Sequence, residues 1–258
     1  MSDEPAARVH PTSAAGFGGD VSAYERGRPS YPADSVAWLV DGLGVGPGRD
    51  VVDLAAGTGK FTRLLVPTGA NLIAVEPSAA MRAEFAAAVP GVAVLDGTAE
   101  ALPFGDATVD AVTAAQAFHW FDVAAATTEL ARVIRPGGGF GMIWNERDVR
   151  VGWVVELNAI FGWERRELYG VPRNIERDWP AEFAAAAHPR FARLERHEST
   201  YLQRVDADTL VQRVLSTSYI ASAERAEQDR VEAAVRELVA GFPAEFDLPY
   251  VTVAYRTR

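Results

Sequence analysis

Between Val36 and Trp144 short apolar runs alternate with helical patterns, and few folds accommodate that rhythm. Apolar runs of this length suit strands buried on both faces, and parallel neighbours need a crossover that is usually a helix. The runs Asp50–Leu54, Asn71–Val75, Val92–Leu95, Ala111–Ala115 and Phe140–Trp144 read as strands. Ala33–Leu43, Lys60–Val66, Ala79–Ala88 and Val123–Ile134 read as helices, the last stopped by Arg135-Pro136-Gly137-Gly138-Gly139. After Asn145 the rhythm changes. Residues 148–189 are richer in Trp, Arg and Glu and read as helical, followed by a strand at Leu194–Leu202. Helices near Asp206–Ala221 and Glu224–Ala240 and a strand at Tyr250–Tyr255 complete the pattern. The expectation is one α/β domain over residues 21–258, behind a mobile tail at 1–20. Its helical insertion at 148–189, with the helices of 206–240, would form a substrate cap.

Composition narrows the function. With 48% hydrophobic residues in 258, the chain can bury a sizeable core. It has no cysteine, which excludes disulfides, thiolate metal sites and a cysteine nucleophile. Neither a basic, apolar leader nor a run of about 18 apolar residues is present, so a soluble, cytoplasmic protein without a membrane partner is expected. A net charge of −10 argues against nucleic-acid binding, which relies on Lys and Arg neutralising phosphates. No Asp/His cluster at the strand ends suggests a metal.

The turn after the first strand, Val51-Val52-Asp53-Leu54-Ala55-Ala56-Gly57-Thr58-Gly59-Lys60, discriminates among nucleotide ligands. A triphosphate loop needs G-x-x-x-x-G-K-[ST]. Here Leu54 stands at the first glycine and Phe61 at the hydroxyl. A dinucleotide turn needs G-x-G-x-x-G, and Thr62 occupies its third glycine. Asp53, just ahead of the turn, would repel a pyrophosphate but suits an ammonium and a sulfonium, the charges of S-adenosylmethionine.

Asp53-Leu54-Ala55-Ala56-Gly57-Thr58-Gly59 resembles the first motif, D/E-x-G-x-G-x-G, of class I S-adenosylmethionine-dependent methyltransferases, with Ala55 in place of the first glycine. The resemblance implies a Rossmann-like sheet of seven mainly parallel strands with an antiparallel last strand and helices on both faces. It also implies roles. Gly57 and Gly59 lie against the cofactor, and Glu76, at the second strand end before Pro77, accepts from the ribose hydroxyls. Met81 packs on adenine. The stretch Asp96–Phe104 is similar to the family's G-D-A-x-x-L-P-F loop, where Ala99 offers its backbone N–H to the ring. Thr98 stands where the family often has Asp, leaving Glu100 as the other candidate for the exocyclic amine. Tyr24 and Arg28 belong to a segment resembling Y-x-x-x-R-P-x-Y-P, which folds over the methionine end of the cofactor in one branch.

The fourth strand leads into Gln116-Ala117-Phe118-His119-Trp120-Phe121-Asp122, at the strand ends where ligands of open parallel sheets bind. This loop resembles that of trans-aconitate and carboxyl methyltransferases. Gln116 and His119 are the candidate catalytic residues, with Gln116 also near the cofactor. His119 is either a base for a hydroxyl acceptor or a hydrogen-bonded wall residue. Asp122 reads as a helix N-cap. For a small-molecule acceptor, the candidate contacts are Trp120, Trp153, Tyr169, Arg173 and Tyr219. An oxygen acceptor is the leading expectation. Nitrogen or carbon methylation, or a non-methylating protein that keeps the cofactor, are the alternatives.

Overall fold

The computed structural model of the chain describes residues 27–163, 177–191 and 193–258. Within them lie β1 (Asp50–Leu54), β2 (Asn71–Val75), β3 (Ala93–Leu95), β4 (Val109–Ala115), β5 (Ile134–Arg147), β6 (Glu195–Val205) and β7 (Phe246–Thr257). The α-helices are α1 (Ala33–Leu43), α2 (Thr62–Leu65), α3 (Ala79–Ala88), α4 (Val123–Val133), α5 (Gly152–Ile160), α6 (Trp179–Ala186), α7 (Ala207–Leu215), α8 (Ser218–Ala221) and α9 (Arg225–Leu238). The expected tail at 1–20 lies outside the described residues, as do Tyr24, Tyr169 and Arg173.

One seven-stranded sheet has the order β3-β2-β1-β4-β5-β7-β6. β1 to β5 pair in parallel, and β7 runs antiparallel to both β5 and β6. This is the expected Rossmann-like sheet. The antiparallel strand is last in the chain, but β6 takes the edge. β4 is buried along all but its last residue, as befits a central strand of β-branched and small residues. The chain builds outward from β1 to β2 and β3 on one side and then returns from β3 to β4 on the other, so the strand order reverses at β1/β4 and a crevice opens beyond their carboxyl ends.

Both faces of the sheet are covered. On one, α1 lays Leu39 and Leu43 against β5, where Gly141 makes room: a Cβ there would lie 2.8 Å from Leu39. On the other, Leu130 of α4 and Trp179 and Phe183 of α6 join Phe118 and Phe140 in the largest apolar cluster. A second cluster unites α5, α7, α8 and α9 with Val205 and the start of β7. It lies beyond the carboxyl end of β5, where Arg147 pairs with Tyr250. The 148–189 insertion is therefore divided: α5 joins the cap, whereas α6 belongs to the core of the sheet.

Several boundaries differ from expectation, β7 starting four residues early at Phe246, and three of the differences have a local physical cause. The helix expected over 206–221 breaks between α7 and α8, where the Ser216 hydroxyl donates to the Arg213 carbonyl and competes with the helical ladder. The expected 60–66 helix begins at Thr62 and tightens into a 3₁₀ turn at Val66–Thr68, which contains Pro67. Finally, β5 starts directly at Ile134. Val109 pairs with Ile134 but Ala111 with Gly139, so residues 135–138 bulge, and a Cβ on Gly138 would lie 2.2 Å from the Asp110 carbonyl oxygen.

Candidate active site

β1 delivers the chain into a turn of left-handed residues: Ala55 at φ 53°, Gly57 at 58° and Gly59 at 81°. The alanine holds a conformation that costs a residue with a Cβ on the order of 1 kcal/mol or more, and such strain clusters at ligand sites. The two glycines do different work. Nothing lies within 4 Å of a Cβ built on Gly57, which faces a cavity, whereas one on Gly59 would lie 2.4 Å from Val89 and 2.8 Å from Phe85. Gly59 thus lets the turn pack on α3, and it is absent from the cavity wall.

Asp53 reaches the cavity wall but is almost wholly buried. Thr62 donates to one carboxylate oxygen at 2.5 Å and Thr113 to the other at 3.1 Å. Burial nevertheless dominates and pushes the carboxyl up to about 6. The acid expected to meet the ligand's ammonium is therefore tied into the sheet by two hydroxyls. At the end of β2, the carboxylate of Glu76 accepts from the Gly57 N–H at 3.0 Å and the Ser78 N–H at 2.9 Å. Burial raises this group too, against the pull of those two N–H donors. Arg82 of α3 donates to the carbonyls of Glu76 and Pro77 at 2.7 and 2.8 Å and fixes the strand end from behind.

Beyond β3, Thr98, Ala99 and Glu100 complete that side of the wall, with Met81 of α3. Thr98 Oγ1 is buried with no hydrogen-bond partner. Glu100 accepts from the Asp122 N–H at 3.2 Å, and Asp122 caps α4 as expected, accepting from Ala125 at 2.9 Å. Two residues of α4 pin the loop that follows: Glu129 accepts from the Leu102 N–H and Arg132 donates to the Phe104 carbonyl, both at 2.8 Å.

Residues 27–31 are strapped along the opposite wall. Lys60, the only lysine of the chain, donates to the Arg28 carbonyl at 2.6 Å. Asn145 donates to the Ser30 carbonyl at 2.7 Å, Gln203 to that of Gly27 at 3.3 Å, and Tyr31 meets Phe61 edge-on. Gln116, also left-handed at φ 57°, donates through its side chain to the Asn145 carbonyl at 3.0 Å, linking the end of β4 to β5. Its neighbour His119 points elsewhere. Trp144 Nε1 donates to His119 Nδ1 at 3.3 Å, and the imidazole does not line the cavity. Burial, helped by the nearby charges of Arg177 and Arg28, pushes His119 down to about 3. It is neutral at pH 7, with its proton on Nε2.

The resulting cavity, of about 340 Å³, gathers most of the expected residues: Arg28, Asp53, Ala55, Gly57, Glu76, Pro77, Met81, Thr98, Ala99, Glu100, Gln116 and Trp120. It excludes others. Trp153 packs edge-on against Phe242 and Phe246, and Tyr219 stacks on Phe161 inside the cap core. Sequence reasoning missed Tyr31, Lys60, Phe61 and Arg213. Arg213 had a legible signal, falling beside Leu210 and Val214 on the apolar stripe of its helix. Among the described residues, no group of three His, Asp or Glu could hold a metal ion, and no helix is long and apolar enough to cross a membrane.

A cavity at the β1/β4 switch, with an acid at the end of β2 and a left-handed turn after β1, is a cofactor site of the Rossmann-like class, which includes the methyltransferases. The chain belongs to the methyltransferase family, as the full-length relative named next shows, and a profile described as a methyltransferase domain matches residues 52–142. An uncharacterized methyltransferase of Mycobacterium tuberculosis is 40% identical over 245 residues, covering 93% of this chain and 94% of its own. A demethylmenaquinone methyltransferase of Beutenbergia cavernae is 32% identical over 161 residues, 57% of this chain and 66% of its own. In fold, the chain is similar to a solved structure from Anaeromyxobacter dehalogenans, with 24% identity, 90% and 97% coverage and a TM-score of 0.63.

Proposed function

We propose that the protein methylates an oxygen of a small-molecule acceptor, and that this oxygen is a carboxylate. The observation that carries the choice is His119. Its imidazole does not line the cavity, its Nδ1 accepts from Trp144 and its pKa is held at about 3, so it offers no base to a hydroxyl near neutral pH. Both oxygens of the Asp53 carboxylate on the wall are already held by threonine hydroxyls. A carboxylate acceptor is already ionised and needs no base. The resemblance of the Gln116–Asp122 loop to carboxyl-methylating enzymes supports the same choice.

The cavity suits S-adenosylmethionine. Gly57 leaves open space, Thr98 Oγ1 lacks a partner, and each Glu76 oxygen, occupied by one N–H, keeps a lone pair for a ribose hydroxyl. Gly57, Glu76, Pro77, Met81, Thr98, Ala99 and Glu100 would hold the adenosyl part, and Arg28 the methionine carboxylate. When bound, the cofactor supplies a methyl group activated by its sulfonium. The chain contributes alignment and exclusion of water, which together can supply about 7–11 kcal/mol. Trp120 walls the cavity, while Gln116 braces the end of β4. Carbon methylation is the second reading, favoured by the demethylmenaquinone relative.

A screen of metabolite fractions with methyl-labelled S-adenosylmethionine tests both. A methyl ester releases its label as methanol in mild alkali, whereas an ether or a carbon-bound methyl does not. Alkali-stable label as the main product would overturn the carboxylate reading.

A further inference from the structure

Two kinds of buried charge meet at the cavity. Its carboxylates are all engaged: Asp53 by two threonines, Glu76 by two backbone N–H groups, Glu100 by the N–H of Asp122. Arg213 of α7 is not. It is only 7% exposed and lines the cavity, its Nε is buried without a hydrogen-bond partner, and no ion pair forms on its guanidinium among the described residues. The other cations of the wall, Arg28 and Lys60, are engaged elsewhere.

The surroundings add to the imbalance. Arg147 is buried too, donating to Asn158 at 2.7 Å and lying over the rings of Phe161 and Trp163. Its Nη2 is also buried without a partner. Burial and the like charge of Arg213 lower Arg147 to about 10, so the two guanidinium groups repel rather than neutralise each other. A buried charge is costly unless it is paired, and one built only to hold the cap together would be expected to have an acid beside it. Arg213 has a cavity instead, in a protein whose net charge is −10.

We propose that Arg213 is the acceptor-recognition residue, its guanidinium receiving a carboxylate of the methyl acceptor, with Arg147 adding positive potential from behind. The proposal rests on the methyltransferase reading above and adds the anchor that selects the acceptor. The same cavity wall carries the aromatic residues Tyr31, Phe61, Trp120 and Phe121, so the acceptor class is an acid with an apolar body. A guanidinium fork matches a carboxylate bidentately, which an ammonium or an amide cannot do.

The test uses the full chain saturated with S-adenosylhomocysteine and two matched probes: phenylacetate against phenylacetamide, and octanoate against octanamide. Wild type should bind at least one acid about tenfold more tightly than its amide, and Arg213→Gln should abolish that preference. The variant's affinity for S-adenosylhomocysteine should stay within about twofold of wild type. Arg213→Lys keeps the charge and the stem, and should retain an acid preference of about threefold, giving a second readout if Arg213→Gln fails to fold. No acid preference in wild type, or an undiminished one in the variants, would overturn the proposal. So would an Arg213→Gln protein that loses S-adenosylhomocysteine but keeps methylthioadenosine, which lacks the carboxylate, because the guanidinium would then belong to the cofactor. A wild type that ignores S-adenosylhomocysteine would remove the methyltransferase reading first, and the anchor with it.

Discussion

The ends of β1 and β2 and the cap helix α7 present buried charges to one cavity but treat them in opposite ways. Asp53 and Glu76 are satisfied before any ligand arrives, the first by threonine hydroxyls of α2 and β4, the second by the backbone N–H groups of Gly57 and Ser78. Arg213 is buried with its Nε unpartnered. The sheet side is therefore preorganised, with its polar groups already held at fixed positions around a strained turn. On the proposal above, the cap side leaves selectivity to its occupant. One half of such a cavity can stay the same across acceptors while the other is altered.

Removing Glu76 should break the preorganised half most severely. Glu76→Ala strands the Gly57 and Ser78 N–H groups and deletes acceptors for the ribose. Charge-assisted bonds are worth about 1.5–3 kcal/mol each, so S-adenosylhomocysteine affinity should fall by about a hundredfold or more. Calorimetry showing an unchanged dissociation constant would mean that this acid serves only the turn.

Asp53 sharpens the comparison through stability. Its folded pKa of about 6 lies above the ordinary 3.8, so the ionised form is penalised in the folded state. That penalty is complete above about pH 6 and vanishes below the unfolded value. Asp53→Asn should consequently stabilise the ligand-free protein by about 1–3 kcal/mol at pH 8, after allowing for a weakened threonine bond, and hardly at all near pH 4. Urea denaturation at the two pH values reads the difference. A variant less stable than wild type at pH 8 would show that the ionised acid is a net stabilising group.

His119 should have the smallest effect on catalysis. Glutamine can accept from Trp144 in its place, so His119→Gln should keep methyl-transfer rates within about threefold of wild type. The rate profile of wild type should show no acid limb near 6.5. Stability tells the same story with the opposite sign to Asp53. The folded pKa of about 3 lies below the ordinary 6.5, so wild type loses stability as pH falls through 6.5 toward 3. The glutamine variant should lack that contribution. A thousandfold loss of turnover with both ligands still bound would restore His119 as a catalytic residue.

What the amino-acid order determined by itself was local: the alternation of apolar runs and helices, the glycine turn, the acid at the end of β2 and the cap of α4 at Asp122. Each depends on neighbours within a few residues, so spacing alone reveals it. The bounds of α1, α3, β1 and β2 could be read directly for that reason. Tertiary structure decided what those residues face. Asp53 keeps its expected place on the cavity wall, but Thr113, 60 residues away, holds its carboxylate from β4. Gly59 looked like a cofactor contact until α3 brought Phe85 and Val89 against it. His119 could be read as a base or as a wall residue until β5 supplied Trp144. The insertion looked like one cap until Trp179 and Phe183 packed against the sheet, leaving α5 with helices more than forty residues downstream. Burial and charge pairing belong to groups that are distant in the chain and meet only when the sheet and the cap close on each other. That is why Arg213, one arginine among many in the sequence, became distinct only once the fold had removed it from water without giving it a partner.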